Sequence, residues 1–522
     1  MKQLSHIIAG ICMLTLAACT DLDLEPQSSL TSDNAFASPD AYQAFLARVY
    51  AGLSVSGQQG PSGDPDIKGI DEGFSNYLRQ YWKAQELTTD EAVIGWSDAG
   101  LSDYHDHDWT AANQFITALY NRVFYQISIS NEFLQETTDE KLDSRAVGEP
   151  LRTQIRRFRA EARFLRALSY WHALDLFGPV PFYTETHPHG EAPDQASRQD
   201  VFAFVERELL AIEADLYAPR QGPYGRADRA AAWTLLAKLY LNAEVYTGQP
   251  RYGDCRVVCE QILGAGVYAL TPVYLHLFRA DNHTSPEIIF PITFDGLHTQ
   301  TFGGMTFLTH AAVGGRMDAA DYGIDGGWWG LRTTRALVER FPGGSATADG
   351  RATFYTDGQT LEIDALSDFT QGYALPKFTN RTAAGAAGSH ATFPDTDFPF
   401  FRLADVYLMY AEAVVRGGGG DRVRALAYVN QLRERAYGTT EGTLTEADLT
   451  LAFLLDERSR ELYWEGQRRT DLIRFGQFTT HGRWPWKGGV KEGKPTEAFR
   501  ELFPLPASEL LANPKLIQNP HY

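Results

Sequence analysis

The stretch QIRRFRAEARFLRALSYWHALDLFGPVP constrains this chain more than any other. Ile155, Phe158, Ala162, Leu165 and Leu168 recur at helical spacing, and Gly178-Pro179 supplies a helix stop. Arg152, Arg156, Arg159, Arg163 and Arg166 form a second stripe, predicted to be solvated or paired with acids. A long helix with one apolar face must bury that face against other helices. Further helical blocks at 231–263, 401–436 and 450–475 supply them. Two segments within these blocks resemble each other, LAKLYLNAE (Leu236 to Glu244) and LADVYLMYAE (Leu403 to Glu412). Each is predicted to open a helix, followed by a glycine-containing turn and a second amphipathic helix. Such pairs stack because neither member hides its apolar face alone, as in tetratricopeptide repeats. The expected fold class is mostly α, a scaffold of tetratricopeptide-like helix pairs.

Two long excursions interrupt the helical texture, at about 52–108 and 270–400. EIIFPITFDG alternates like a strand, and the rest of the later excursion is rich in Gly, Asp, Thr and aromatic residues. Segments of this length without helical period read as ordered loops that carry function. At the other extreme, residues 1–18 form an apolar leader, and Leu16-Ala17-Ala18-Cys19 looks like a bacterial lipobox. The organisation expected is a leader at 1–18, a tether at 19–35 lipidated on Cys19, and one domain from 36 to 522. A helix start is expected at Ser38-Pro39. Cys255 and Cys259, at helical i,i+4 spacing, read as a reduced core pair.

A net charge of -19 repels phosphate backbones, so nucleic acid is excluded as a partner. No G-x-S-x-G, H-E-x-x-H or phosphate-loop pattern is present, and no cofactor is expected. Thr88-x-x-Glu91 reads as a capping box opening a helix. DPDIKGIDEG opens a would-be calcium loop with Lys68 at position 5 and Ser75 at position 12, where a bidentate Glu belongs, and HDHD (His105 to Asp108) reads as a solvated loop, so no metal is expected. The excursions do offer what a sugar requires: aromatic faces for its C–H surfaces and planar polar groups for its hydroxyls. Asp71, Arg79, Trp96 and Asp98 form one such set, and Phe302, Tyr322, Trp328 and Trp329 another. Composition alone leaves each tryptophan at least as suited to a core as to a ligand platform.

Beyond these physical signals, RAEARFLRALSYWHALDLFGPVPFYTE, LLDERSRELYWEGQRRTDLIRFGQF and the ending LFPLPASELLANPKLIQNPHY resemble the SusD/RagB family of surface glycan-binding lipoproteins of Bacteroidetes. The likeness runs over nearly the whole chain, and GDPDIKGIDEGFSNYLRQYWKAQELTTDEAVIGWSDAG is similar to the starch-binding branch. The resemblance implies a non-enzymatic protein on the outer-membrane surface. It would capture an oligosaccharide or polysaccharide and pass it to a SusC-like TonB-dependent transporter. Carried over by position, Asp71, Arg79, Trp96, Phe302 and Trp328 are the implied glycan contacts, with Asp98 the nearest polar residue where the family has Asn. Trp328 is expected to be the stacking ring and Trp329 to pack inward. Peptide capture, as in RagB-like relatives, and a surface glycoside hydrolase are the alternatives.

Overall fold

The computed structural model describes residue 36, residues 38–188 and residues 190–522. Cys12, Cys19 and the expected leader and tether lie outside the described residues. Two compact units are distinguished, Met1–Tyr42 and Gln43–Tyr522. In the first, the Phe36 and Tyr42 rings meet at 5.0 Å. The second holds the helical scaffold.

Helix α1 (Pro39–Ser54) begins at the proline, as the Ser38-Pro39 signal predicts. The scaffold proper is built from α2 (Tyr77–Trp82), α3 (Gln114–Glu136), α4 (Leu151–Phe177), α5 (Arg198–Ile212), α6 (Arg229–Leu241), α7 (Tyr252–Gly264), α8 (Gly304–Ala311), α9 (Leu403–Val415), α10 (Arg422–Tyr437), α11 (Leu451–Leu462) and α12 (Arg468–Arg474). Side chains placed just ahead of most of these helices satisfy the first free N–H groups. Asn113 caps α3, Ser197 forms a capping box with Asp200 on α5, and Asp228, Asp421 and Thr450 cap α6, α10 and α11. Helix α4 stops where predicted, since Gly178 adopts φ +77°.

Helix α4 packs on α3 and on α5, and α6 pairs with α7. Helix α7 then packs on α9, which pairs with α10 and touches α11. The two similar segments, far apart in sequence, therefore lie in helix pairs that stack side by side. One detail departs from expectation. Leu236–Glu244 does not open a helix but closes α6, because Asn242 caps it after Leu241. The arginine stripe on α4 is acid-paired: Arg163 and Arg166 both bind Glu208 on α5, and Arg152 binds Asp143.

The predicted block at 450–475 is two helices. Trp464 takes φ +61° and Gly466 φ +74°, and the freed N–H groups of Gly466 and Gln467 donate to the buried Glu86 carboxylate. Thr88-x-x-Glu91 opens no helix. Thr88 ends a π-turn, donating to Ala84 O, while Glu91 accepts from Ser459 Oγ and Trp464 N–H. That acidic cluster braces the break between α11 and α12 instead, a contact with no local sequence signal.

Strands are few and short among the described residues: β1 (Val93–Ile94), β2 (Val180–Pro181), β3 (Gln195–Ala196), β4 (Ile288–Ile292), β5 (Leu331–Arg332) and β6 (Phe398–Arg402). They pair antiparallel as β1–β5, β2–β3 and β4–β6. The predicted strand in EIIFPITFDG is β4, fully buried against β6 with two register shifts. Cys255 and Cys259 are free and buried, as the i,i+4 reading expects.

Candidate functional site

The β1–β5 pair joins the two excursions. Ile94 lies opposite Leu331, so the chain beyond β1 runs alongside the chain entering β5. Gly95 N–H donates to Gly330 O at 3.0 Å, and Trp96 Nε1 donates to Trp328 O at 3.1 Å. The Trp96 and Trp328 rings stand 6.4 Å apart, tilted by 45°. Glycine is required between them, since a Cβ on Gly330 would sit 2.6 Å from the Trp96 indole.

Trp328 and Trp329 sit on a backbone laid over the end of α8. Trp328 N–H donates to His310 O, Trp329 N–H to Val313 O and Gly330 N–H to Ala311 O. The two adjacent indoles are displayed differently. Trp328 is half-buried against the His310 ring, with centroids 4.9 Å apart. Trp329 does not pack inward as expected: it takes φ +55°, leans on Phe369 and stays 53% exposed. A left-handed turn points successive side chains differently from an extended one, and the three hydrogen bonds to the end of α8 and the residues just after it hold that conformation. Tyr322 lies apart from these rings, in a short turn over Ala319–Tyr322 whose chain contacts Asn380.

Arg79 is brought under the rings by α2. Asn76 caps that helix through Arg79 N–H, and the same Oδ1 accepts from Gly304 N–H at the start of α8. The guanidinium lies between the Phe74 and Phe307 rings, 4.4 Å from each, and 5.7 Å from Trp96. It is only 4% exposed, and its Nη1 donates to Phe302 O at 3.2 Å. Burial pulls its pKa down to about 9, against the opposing fields of Asp71, Asp98 and Glu72. The neighbouring Lys83 ammonium lies 3.9 Å over Phe115, and burial drives its pKa well down.

The Phe302 backbone is gripped from both sides. Glu72 accepts its N–H at 2.9 Å, and Arg79 donates to its carbonyl. Its ring is left 37% exposed beside Phe393. Asp71 is exposed, with one oxygen spent on Gly73 N–H at the turn that leads into α2. Asp98 is half-buried and lies in the field of both Arg79 and Lys83. The fold thus gathers Asp71, Arg79, Trp96, Asp98, Phe302 and Trp328 through shared contacts. Sequence reasoning missed Glu72, Phe74, Lys83, Phe307 and His310. Glu72 sits beside Asp71 and was within reach of a careful reading; the others act through contacts that only the tertiary structure creates.

HDHD is not the solvated loop expected: His105 and His107 are buried, and Asp103–Asp106 forms a short helical turn. His107 is buried, takes φ +54°, and spends its ring nitrogens on Thr88 O and Thr496 Oγ1. Lys68 pairs with Asp64 on an exposed loop. Among the described residues no group of three or more His, Cys, Asp or Glu could hold a metal ion.

The site is built as a set of rings above buried charge, with the exposed Asp71 and half-buried Asp98 carboxylates at its margin. It offers stacking faces and hydrogen-bond acceptors. Comparison with known proteins places it in context. Residues 69–241 match a family model described as "Starch-binding associating with outer membrane", and residues 347–522 match the SusD family model. The starch-binding protein SusD of Bacteroides thetaiotaomicron is 35% identical over 100% of this chain and 99% of its own length. Solved structures share the fold at lower identity. A SusD superfamily protein from Bacteroides vulgatus superposes with TM-score 0.72 at 19% identity, over 93% of this chain and 99% of that one. Surface glycan-binding protein A from Bacteroides thetaiotaomicron, solved with laminarihexaose, gives 0.69 at 19% identity, over 92% of this chain and 99% of that one. With a full-length relative at that identity and both family models on the chain, this protein belongs to the SusD family.

Proposed function

We propose that this protein is a non-catalytic glycan-binding lipoprotein of the outer-membrane surface, which captures an oligosaccharide or polysaccharide for import. The observation that carries this reading is the convergence of Trp96, Trp328, Trp329 and Phe302 with Asp71 and Asp98 where two distant excursions meet. An indole face packs against the C–H face of a pyranose, and carboxylates accept from its hydroxyls. Arg79 holds Phe302 in place and keeps the margin electrostatically balanced. The starch-binding relative at 35% identity supports a glucan as ligand. Lipidation at Cys19 would hold the protein at the membrane, and a SusC-like TonB-dependent transporter would receive the glycan. Two acyl chains give stable anchoring, at about 0.8 kcal/mol per buried CH₂.

Affinity electrophoresis and calorimetry against soluble starch, laminarin and defined peptides test the ligand class. Retention by a glucan with no release of reducing ends is the expected result. Binding of peptides alone would overturn it. For the anchor, Cys19→Ala is expected to shift the full-length protein from the detergent phase to the aqueous phase without changing its melting temperature.

A further inference from the structure

The His310 imidazole lies beneath Trp328 with both ring nitrogens facing oxygen. Nδ1 lies 2.9 Å from Thr306 O and 3.0 Å from Thr309 Oγ1, and Nε2 lies 3.3 Å from Asp325 Oδ1. The Thr309 hydroxyl is itself placed to donate back to Met305 O or Thr306 O in the helix. A backbone carbonyl accepts only, so the short contact to Thr306 O calls for a proton on Nδ1. A carboxylate also accepts only, so the contact to Asp325 calls for a second proton on Nε2. A neutral imidazole has one N–H and can donate to only one of these two acceptors, Thr306 O or Asp325; the imidazolium donates to both.

Asp325 ties this pair into the site. It opens the loop that carries Trp328 and Trp329, its other oxygen accepts from Thr392 Oγ1, and its N–H donates to Ala391 O. The His310 side chain is fully buried, whereas that of Asp325 is half exposed. The charged group that faces His310 is Asp325; the other polar groups around the ring are Thr306 and Thr309. Burial lowers the His310 pKa, and Thr306 O and the Asp325 charge oppose that. Around neutral pH the ring is therefore mostly neutral, and one of its two contacts is mismatched.

We propose that His310 is a positioning residue for the Trp328 platform, and that its protonation, by completing the bridge from α8 to Asp325, tightens glycan retention as pH falls. The proposal rests on the glycan-binding reading of Trp328. Above the His310 pKa the neutral ring carries one proton, shared between Thr306 O on its own helix and Asp325 on the Trp328 loop. Below it, and above the depressed pKa of Asp325, Nδ1 donates to the helix and Nε2 to Asp325 at the same time, so the loop contact no longer competes with the helix contact.

The test uses the whole chain, with soluble starch and laminarin as probes, between pH 7.5 and 5. If ligand binding raises the His310 pKa by half to one unit, affinity rises about three- to tenfold over that range, in a one-proton step. Asp325→Asn is the informative variant. Its amide keeps an acceptor for Thr392 and presents an N–H to Nε2, which satisfies the neutral ring. It should bind at pH 7.5 as tightly as the parent does at pH 5, with a flat profile. His310→Gln should also be flat, at the weaker level; if it fails to fold, the Asp325→Asn result decides alone. Histidine-selective NMR titration without glycan reads the same proton independently. A pH-independent parent affinity, or an Asp325→Asn profile that still steps, overturns the positioning role. If no glycan binds the parent at any pH while the NMR step is present and vanishes in Asp325→Asn, the glycan reading fails and the His310–Asp325 coupling stands.

Discussion

Trp328 and Trp329 differ in what they give up when removed. Trp329 is mostly solvent-exposed, so Trp329→Ala should cost little stability and about 1 kcal/mol of glycan affinity, roughly fivefold. Trp328 is wedged between Trp96 and His310, so Trp328→Ala should lose a similar amount of affinity and also lower the melting temperature. Calorimetric binding and differential scanning calorimetry on both variants separate the two roles. Glu72 offers a test that leaves every ring intact. Its carboxylate holds Phe302 N–H and the buried Thr301 Oγ1, so Glu72→Ala frees the Phe302 segment and leaves both donors without this acceptor. A loss of about 1–3 kcal/mol of stability is expected, together with weaker glycan retention. Unchanged retention would show that Phe302 does not contribute to the site.

At the scale of elements, the break between α11 and α12 is held by charge. Arg402, from β6, pairs with Glu287, Glu461 and Glu465, and Arg351 pairs with Asp349, Glu457 and Glu461, all of them buried. Removing Arg402 takes a buried cation from three carboxylates at once, leaving Glu287 with Arg435, Glu461 with Arg351 and Arg435, and Glu465 with Lys377. Arg402→Met should therefore destabilise by about 3–5 kcal/mol, measured by urea unfolding, even though methionine fills much of the volume. The helices themselves were legible in the sequence because their apolar spacing is local. The loss of Thr88 and Glu91 as a capping box shows the limit of that legibility. The pattern matched, but Glu91 was claimed by Ser459 and Trp464 from hundreds of residues away.

For the whole molecule, buried arginine–carboxylate clusters of this kind, including Asp471 with Arg458 and Arg474, set the response to acid. Burial raises these carboxylate pKa values, but the surrounding guanidinium groups overcome it, holding Glu457 and Asp471 down at about 2. A carboxylate whose folded pKa lies below its unfolded value stabilises fully above the unfolded value. That stabilisation is lost as pH falls toward the folded pKa. Melting temperature should thus hold down to about pH 4.5 and fall steeply between there and pH 2. Because the pairs are buried, 1 M salt should move this acid midpoint little, in contrast to surface pairs. Calorimetry across pH at two salt concentrations checks both statements.

The sequence by itself determined the helical class, the helix ends at Pro39 and Gly178, the excursions, and the residue types gathered at the candidate site, including Asp71, Arg79, Trp96, Asp98, Phe302 and Trp328. These are local properties, since periodicity, capping and aromatic content are written within a few turns of chain. Only the tertiary structure decided which indole is displayed, what Arg79 touches, and which groups lie beneath the rings. The left-handed backbone at Trp329 is held by hydrogen bonds to the end of α8 and to Val313 beyond it, and the Arg79 guanidinium reaches the carbonyl of Phe302, 223 positions further along the chain. Side-chain direction and partnership at this site are long-range properties. No local pattern encodes them, because the atoms that set them belong to segments that meet only when the chain has folded.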